Sequence, residues 1–552
     1  MKTWFTKEEN IPFSQNGDSS AKLMELIEKM SNGDELIFTK GSYLFNDKVI
    51  LKDRKGIKLR GYGATVIVNY DLCHPNDCKN AFEFIHCDDI DITGFTFTTN
   101  NPTNIMGRII SKNKEEGYFD VILPHNVQVA GNEWIEGLDT CNEDYSLNFH
   151  IGWADMGKPH RYHKINRNTL RFPVWPSKRP QLDNVQIGEL ICMRYSLYAP
   201  GTFSFIGCNN VLLEDITIEA CPGISCCAHA RSSNFTFRRY NIKLAKDSVQ
   251  GIACNTDGIH FTGLCGKLVM EDCHFEYMGD DSLNMHSTCG TVYAIHDNVI
   301  DSGVLKMGHT IDEPPAENLS TAFARKGDIL YIYDPQTTRK KAEVTVSSYT
   351  QNRFEFSKLS GTMEVGDIIV NSAFYAETVI KNCSVSRSRA RGFLIKTHNV
   401  LIDGCYFEKT SGPAIIASCG ISLWNEMGPV HHMVISNCCI EGCNTSMFRS
   451  RADGIIIGGG PGGPRNYRTD DIGVYADIKL INNKFYNMPD SAIFASGVDG
   501  LEIWGNQIYN CCNVPNDLPD EKFSYDTIIV NSDNVSYVDN VSLTNKNEIY
   551  KG

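Results

Sequence analysis

Residues 210–218 read NVLLEDITI and residues 234–242 read NFTFRRYNI, with the same alternation of apolar and polar side chains. These two copies begin 24 residues apart, and a later pair, DIKLINNKF (477–485) and GLEIWGNQI (500–508), begin 23 residues apart. Short strands that recur at this period, with almost no helical periodicity, are typical of a solenoid. Further copies occupy 267–275, 399–407 and 432–440, and weaker ones 56–63 and 88–97.

The repeat predicts an all-β fold, a right-handed parallel β-helix. Each coil of such a solenoid stacks its strands on those of the previous coil, about 4.8 Å away. A leucine-rich repeat has a similar period, but the leucine ladder and the helical half of that repeat are missing from this sequence. One helix is predicted ahead of the first coils, over residues 20–30, where it can cap the open end of the sheet.

Two stretches of alternating strands interrupt the repeat, and each is predicted to be a small antiparallel β-barrel inserted into the solenoid. Insertions on one face of a solenoid usually border its binding groove. The predicted units are an N-terminal cap with the first coils (1–105), barrel 1 (106–197), coils that carry an acid cluster (198–286), barrel 2 (287–372) and C-terminal coils (373–552).

Composition limits the function classes. The chain has 552 residues, of which 21% are charged and 42% hydrophobic, and its formal net charge is −14. A nucleic-acid partner is not expected because phosphate binding requires a basic surface. No apolar run has the length of a membrane span or a signal peptide. We therefore expect a cytoplasmic protein with no membrane partner, or a secreted or periplasmic one if a leader has been removed.

Three aspartates form the most informative local pattern. Asp257 lies in a polar turn, and the adjacent pair Asp280 and Asp281 follows 23 and 24 residues later. If one coil takes about 23 residues, these acids occupy equivalent places on successive coils and form a cluster. Adjacent residues of a straight strand point to opposite faces, so both members of the pair can share one cleft only where the strand bends, and Gly279 permits that bend.

Clustered carboxyl groups favour acid chemistry. Like charges drive at least one pKa upward, as a general acid near neutral pH requires, and a water held by the other carboxylates can act as the nucleophile. Two carboxyl groups roughly 6.5 to 9.5 Å apart are typical of inverting glycoside hydrolysis. Calcium binding is the main alternative because acids and backbone carbonyls also suit a hard cation. A third possibility is a structural turn ladder with a solvated acid pair.

At these residues the sequence resembles known glycosidase families. Residues 255–258 (NTDG) and 279–281 (GDD) are similar to the Asn-Thr-Asp and Asp-Asp motifs of polygalacturonases, glycoside hydrolase family 28. The Gly-His-Gly of that family is absent, and Arg391 and Lys396 are spaced differently from its Arg-x-Lys. A closer resemblance covers nearly the whole chain: the α-1,3-galactosidases of glycoside hydrolase family 110, β-helices interrupted by two small β-barrels.

The closer resemblance implies inverting exo-hydrolysis of terminal α-1,3-linked galactose, as in blood group B or linear α-galactosyl glycans, without a metal or other cofactor. It implies Asp280 as the general acid, with Asp257 and Asp281 holding and activating the water. We also predict substrate contacts from residues that lie near the acids or after the second insertion: Asn255, His260, Asn284, Arg391, Lys396 and Trp424.

Three alternatives stay open from the sequence: a polygalacturonase-like hydrolase, a calcium-dependent polysaccharide lyase, and a non-catalytic carbohydrate-binding β-helix. If the chain is an α-1,3-galactosidase, its expected partner is a glycan that ends in α-galactose. A flat solenoid face can pair with a second copy, so a homodimer also stays open.

Overall fold

The computed structural model describes most of the chain. The described residues are 1–127, 129, 131, 133, 135–152, 162–305, 310–420, 425–445, 454–458, 471–512, 525–543 and 547–551. They form a parallel β-helix with two inserted antiparallel units, which confirms the predicted fold class. Among them, no helix is long and apolar enough to cross a membrane.

The first parallel sheet carries the repeated phrase. Most coils contribute two consecutive strands to it, separated by a bend. Its strands are Thr3–Phe5, Glu35–Ile37, Gly41–Phe45, Lys58–Val68, Asp88–Thr99, Asn209–Ile218, Ser233–Ile242, Cys265–Glu271, His274–Glu276, Glu377–Lys381, Ser384–Ser386, Val400–Asp403, Tyr406–Glu408, His431–Ser436, Cys439–Glu441, Tyr475–Ile481, Lys484–Tyr486, Val498–Trp504, Gln507–Tyr509, Asp533–Val538 and Val541–Leu543.

The second parallel sheet closes each coil on its other side. One short strand, Glu426–Met427, is antiparallel and lies off the path of this sheet. The parallel strands are Val49–Lys52, Phe82–Ile85, Phe203–Ile206, Cys226–His229, Ile259–Thr262, Leu283–Thr288, Phe393–Ile395, Ile415–Ala417, Ile455–Ile457, Ile493–Ser496, Tyr525–Val530 and Asn547–Lys551.

The helices are few and short. The predicted cap is an α-helix, Ser20–Lys29, which buries Leu23, Leu26 and Ile27 and contacts the first strand of the second sheet. Its apolar side chains recur every three or four residues, so one face of the helix covers the end of the core. The 3-10 helices in the described part of the chain are Ser14–Asn16, Pro75–Asp77, Pro176–Asn184 and Ser372–Phe374.

Inward-pointing side chains of both sheets build one continuous core along the solenoid axis. Like residues stack from coil to coil because the register repeats, as in the parallel rings of Phe84 and Phe205, whose centroids are 4.8 Å apart. Such a ring pair contributes about 0.5–1.5 kcal/mol beyond the area that it buries. The fold is therefore stabilised by neighbouring coils, whatever their separation along the chain.

The first inserted unit leaves the solenoid after Asp88–Thr99 and returns before Phe203–Ile206. It is a seven-stranded antiparallel sheet with a core of its own, and in the described residues its strand order does not close on itself. In spatial order the strands are Leu147–Gly152, Gly137–Cys141, Leu190–Arg194, Asn104–Asn113, Tyr118–Ile122, Thr169–Pro173 and His163–Asn166.

The second inserted unit leaves after Leu283–Thr288 and returns before Glu377–Lys381. It is the predicted closed antiparallel barrel and also has its own core. The six strands, in order around the barrel, are Gly290–His296, Val299–Gly303, Arg353–Gly361, Lys340–Thr350, Ile329–Tyr333 and Ile368–Asn371.

Candidate active site

The three aspartates lie at one corner of two stacked coils, between the first sheet and the second. The register pairs Ile259 with Leu283, and a bridge joins Cys254 to Met278, so this corner repeats after 24 residues. Asp257 is therefore stacked on Asp281, as expected from strands that pair in register.

Gly279 makes the close approach of the two coils possible. A Cβ at this position would lie 2.1 Å from the backbone oxygen of Asn255, far inside van der Waals contact. Only glycine leaves room for a backbone oxygen at that distance. The tight corner then brings one carboxylate oxygen from each of Asp257, Asp280 and Asp281 within 4.8 Å of one another.

Asp257 and Asp281 are tied to each other and to the next coil. The backbone N–H of Asp281 donates to Oδ1 of Asp257 at 3.1 Å. Arg391, at the same corner one coil further, donates from its Nε to Oδ1 of Asp281 at 2.6 Å and from its backbone N–H at 3.2 Å. Its Nη2 lies 3.7 Å from Oδ1 of Asp280. The predicted residue Arg391 is thus part of the acid cluster.

Burial changes the acidity of the adjacent pair. It raises the pKa of Asp280. The negative charge of Asp257 raises this pKa further, whereas the nearby arginines lower it. Burial also raises the pKa of Asp281 to about 8, although Arg391 opposes that change. Within the described part of the chain, Oδ1 of Asp280 and Oδ2 of Asp281 are buried without a hydrogen-bond partner. The pair can therefore retain a proton near neutral pH.

A buried ion cluster supports the corner from behind. Asp139 of the first inserted unit lies between two arginines: its Oδ1 is 3.1 Å from Nε of Arg389, and its Oδ2 is 3.0 Å from Nη2 of Arg194. Both guanidinium groups also donate to the corner backbone, Arg389 to the oxygen of Gly279 at 3.0 Å and Arg194 to that of Asn255 at 2.9 Å. The inserted unit thus fixes the backbone that carries the acids.

Asn255 corrects one prediction. Its side chain is fully buried. Nδ2 donates to the backbone oxygens of Thr103 and Ser196, and Oδ1 accepts from the side chains of Thr103 and Asn104. All its polar valences are thus used to join the first inserted unit to the coil, and none is left for a sugar.

A second polar cluster extends from Asp257 along the outer face of the second sheet. Nδ1 of His260 is 2.6 Å from Oδ2 of Asp257, and Nε2 of His260 is 3.0 Å from Nε2 of His286. Nε2 of His286 is 3.6 Å from Oε1 of Glu426. The two clusters are therefore continuous through His260.

Glu426 is the centre of this second cluster. Its Oε1 accepts a hydrogen bond from Nδ2 of Asn284 at 3.2 Å, and its Oε2 contacts Nζ of Lys396. All three side chains are buried. The structure thus brings four predicted substrate contacts, His260, Asn284, Lys396 and Arg391, to the acids or to their neighbours. Trp424 lies outside the described residues.

The hydrogen bonds define the protonation of the two histidines. Nδ1 of His286 lies 3.2 Å from the backbone oxygen of Ser287, an acceptor only, so Nδ1 carries hydrogen. Burial lowers the pKa of His286 to about 4, so its Nε2 is an acceptor and His260 donates to it. Burial opposes charge on His260 as well and is the largest single effect, but the hydrogen bond with Asp257 and the charges of Asp257, Glu426 and Asp281 together raise the pKa. These contacts favour the imidazolium form of His260, between Asp257 and His286.

Glu426 keeps its charge although it is buried. Burial favours the neutral acid and is the largest single effect, but the ammonium group of Lys396 together with His286 and His260 outweighs it and lowers the pKa of Glu426. Glu426 was not predicted from the sequence. His286 continues the acid-bearing strand two residues after Asn284 and shares its face, as alternation predicts, but it was not among the predicted substrate contacts. Glu426 has no such signal, since it enters from a different segment.

Among the described residues, two groups of side chains have metal-ligand chemistry: His260, His286 and Glu426, and the three aspartates, with atoms within 4.8 Å of one another in each group. The first set suits a transition metal and the second a hard cation. In both groups a cationic side chain already contacts a carboxylate, Lys396 in the first and Arg391 in the second.

Fold and site together define a parallel β-helix protein with a buried carboxylate cluster at a coil corner. No family model matches the chain. The predicted resemblance to α-1,3-galactosidases is confirmed by two relatives of that name. Alpha-1,3-galactosidase B of Akkermansia muciniphila is 26% identical over 391 residues, 69% of this chain and 47% of that protein. Alpha-1,3-galactosidase B of Bacteroides thetaiotaomicron is 22% identical over 543 residues, 90% of this chain and 83% of that protein.

The chain thus spans about half the length of the first of these relatives and more than four fifths of the second. Among solved structures, the family 28 exopolygalacturonase of Yersinia enterocolitica is 10% identical and matches with a TM-score of 0.43, over 97% of this chain and 78% of that one.

Proposed function

We propose that this protein is an exo-acting, inverting glycoside hydrolase that removes terminal α-1,3-linked galactose from glycans. The observation that carries the proposal is the buried cluster of Asp257, Asp280 and Asp281, in which the pKa of two carboxyl groups is raised and one arginine contacts the pair. The names of the two relatives support the substrate class. Blood group B and linear α-galactosyl glycans are both candidate substrates.

Asp280 is the general acid of the proposed reaction. Its Oδ1 has no hydrogen-bond partner among the described residues and is further from Arg391 than the oxygen of Asp281 is. Burial favours its protonated form at neutral pH. The Asp280 proton passes to the glycosidic oxygen as the bond from that oxygen to the anomeric carbon breaks.

Asp257 and Asp281 hold and activate the water. Two N–H groups point at Asp257, those of His260 and of the Asp281 backbone, and such donors stabilise a carboxylate that accepts a proton. Arg391 stabilises the carboxylate of Asp281 but does not outweigh burial, which raises that pKa to about 8, so Asp257 is the first acceptor of the proton. The water attacks the anomeric carbon from the face opposite the leaving group, and its proton goes to this carboxylate pair.

Support for inversion comes from the resemblance and not from the spacing of the acids. The nearest carboxylate oxygens lie within 4.8 Å of one another, closer than the separation of roughly 6.5–9.5 Å expected from the sequence analysis. NMR of the first-formed sugar tests the stereochemistry directly. Inversion gives β-galactose first, and α-galactose as the first product contradicts the proposed division of roles.

Release of free galactose tests the hydrolase itself. The substrates are a linear α-1,3-galactosyl disaccharide and the fucosylated blood group B trisaccharide, each incubated with EDTA present. We expect galactose from at least one of them, and Asp280→Asn to lower kcat by about 10³-fold or more. The control, Asp499→Asn, changes an exposed aspartate on a distant coil and is expected to keep the wild-type rate.

Each alternative predicts a different result in this assay. A calcium-dependent lyase loses its activity in EDTA and forms an unsaturated product. A polygalacturonase-like enzyme acts on polygalacturonate instead, and a carbohydrate-binding β-helix releases no sugar. Near-normal galactose release by Asp280→Asn contradicts the role of that carboxyl group.

A further inference from the structure

The outer face of the second sheet changes character at the acid cluster. Register places His260, Asn284, Leu394, Ile416 and Ile456 in one column across successive strands. The first two residues are polar and belong to the site. The next three are apolar and buried in a cluster separate from the main core, on the opposite face of the sheet. Among the described residues, the polar part of this column therefore ends at Asn284.

Glu426 lies at this boundary between the polar and the apolar residues of the column. Its strand, Glu426–Met427, pairs antiparallel with Ser287 and Thr288, the end of the acid-bearing coil's strand. Gly428 permits this packing, because a Cβ there would lie 2.2 Å from the backbone oxygen of Lys396. Glu426 is thus held by backbone pairing at the boundary between the polar and the apolar residues of the column.

Glu426 and Lys396 have unused hydrogen-bonding capacity. A carboxylate offers about four acceptor sites and an ammonium three donors. In the described part of the chain, Glu426 and Lys396 contact each other, and Glu426 also accepts from Asn284. Oδ1 of Asn284 is buried there without a partner, like one oxygen each of Asp280 and Asp281. Buried polar atoms without partners are costly, and a ligand rich in hydroxyl groups would satisfy them.

We propose that Glu426 and Lys396 bind two adjacent hydroxyl groups of the terminal sugar and select galactose by its axial 4-hydroxyl. A carboxylate that accepts from one hydroxyl beside an ammonium that donates to the next fits a pair of neighbouring hydroxyls. Galactose and glucose differ only in the direction of the 4-hydroxyl, so a pair fixed by packing distinguishes them. This inference rests on the proposed hydrolysis at the aspartates.

A metal ion held by His260, His286 and Glu426 is the competing use of the same residues. Lys396 argues against it, because its ammonium group already contacts Glu426 and would repel a second cation. His260 also donates to His286 in the present arrangement, which leaves no lone pair at Nε2 of His260. Hydroxyl groups both donate and accept hydrogen bonds, so they can bind without displacing Lys396 from Glu426 and without removing the hydrogen at Nε2 of His260.

The experiment compares a galactoside with its analogues. Wild type is assayed on the α-1,3-galactosyl disaccharide, its 4-deoxy form and its 4-epimer, the glucosyl disaccharide. We expect kcat/KM to fall about 100-fold or more for both analogues, since the site's charged groups are left unpaired. Glu426→Gln and Lys396→Met should each lower kcat/KM for the galactoside about 10- to 100-fold, mainly through KM, and the variant that loses the partner of the 4-hydroxyl should change the 4-deoxy substrate less than about threefold.

Glu83→Gln is the matched control. Glu83 lies in the same outward column of the second sheet, three strands before His260, and pairs with Lys48 at 2.8 Å. We expect this variant to keep the wild-type preference. Equal wild-type rates on the galactoside and its 4-deoxy form overturn the proposal. This comparison uses only the wild type, so the proposal can be tested even if Glu426→Gln does not fold.

Binding of the free sugar separates this proposal from the hydrolase proposal. Calorimetry with D-galactose and D-glucose should show binding of galactose by wild type, weakened about tenfold or more in Glu426→Gln. Galactose release with unchanged selectivity in both variants overturns the recognition role and leaves the hydrolase intact. Galactose binding that requires Glu426, without any hydrolysis, overturns the hydrolase proposal and leaves the recognition role intact. A single Zn²⁺ site lost in Glu426→Gln, without galactose binding, overturns the recognition role in favour of a metal.

Discussion

At the scale of single residues, the site depends on carboxyl groups whose burial changes their acidity. Asp280 and Asp281 are almost fully buried, and both have a raised pKa. Because a raised pKa keeps a proton available, these groups can donate at a pH where an exposed aspartate cannot. Arg391 and His260 supply the opposite charges that keep the cluster from repelling itself.

This arrangement predicts the pH dependence of the rate. The acid must be protonated, so kcat/KM should fall as pH rises through the raised pKa of the pair, by about tenfold per pH unit on the alkaline side. The measurement is kcat/KM for the disaccharide from pH 5 to pH 9. A rate that is still rising at pH 9 contradicts the assignment.

The same carboxyl groups predict a stability cost. Their pKa in the folded state is above the unfolded value of about 3.9. Their contribution to the stability of the fold is therefore fully present below the unfolded pKa and is lost as the pH rises through the folded-state pKa. The loss for one group is about 1.4 kcal/mol per pH unit between the two values. Asp280→Asn should therefore raise the free energy of unfolding at pH 8 relative to wild type, as measured in urea. A lower value at pH 8 contradicts this account.

At the scale of elements, the first inserted unit stabilises the corner that carries the acids. Its Asp139 is buried between Arg194 and Arg389, and both arginines bind the backbone of the corner. Asp139→Asn deprives two buried guanidinium groups of the charge that they share, and breaking such a pair typically costs about 3–5 kcal/mol.

Urea unfolding of Asp139→Asn measures this cost. The control is Glu377→Gln, which breaks a half-exposed pair with Lys267 at 2.8 Å and should cost less than about 1 kcal/mol. Similar losses in the two variants would contradict a special role for the buried cluster. A loss confined to Asp139→Asn, with lower kcat as well, links the inserted unit to the geometry of the acids.

The bends of the first sheet predict a second effect on stability. Oδ1 of Asn506 accepts from the backbone N–H of Asn483 at 2.9 Å and from its side chain at 3.0 Å, and Nδ2 of Asn506 donates to Leu480 at 2.8 Å. Asn506→Ala leaves these buried partners unpaired, which costs about 2–4 kcal/mol. Asn241→Ala, which removes an exposed amide bonded to the oxygen of Arg239, should leave the urea midpoint nearly unchanged. Equal effects contradict this role of the bend.

At the scale of the whole molecule, the long core shields most thiols. Of the 21 cysteines, all present as thiols, 17 are buried and four are intermediate, namely Cys73, Cys227, Cys265 and Cys439. A thiol reagent should label at most about four groups in the native protein and all 21 in denaturant. Mass spectrometry of the labelled chain counts them. Rapid native labelling of many more contradicts the packing of the core.

The sequence predicted most of the fold because a solenoid is nearly one-dimensional. Alternation along a strand and a period near 24 residues, both visible in residues 210–242, specify which side chains point inward and which coils stack. The same period is sufficient to predict that Asp257 lies beside Asp281. The closed second barrel was also predictable, because antiparallel strands close in sequence leave a local pattern.

The sequence by itself thus determined the β-helix, the stacking of its coils and the place of the three aspartates, because these follow from short-range periodicity. Only the tertiary structure decided the surroundings of the acids. Asp139 and Glu426 reach the site from an inserted unit and from a separate strand, and Asn255 proved to be a buried joint instead of a sugar contact. The physical reason is that such contacts join segments far apart in the chain, where no period relates one residue to another.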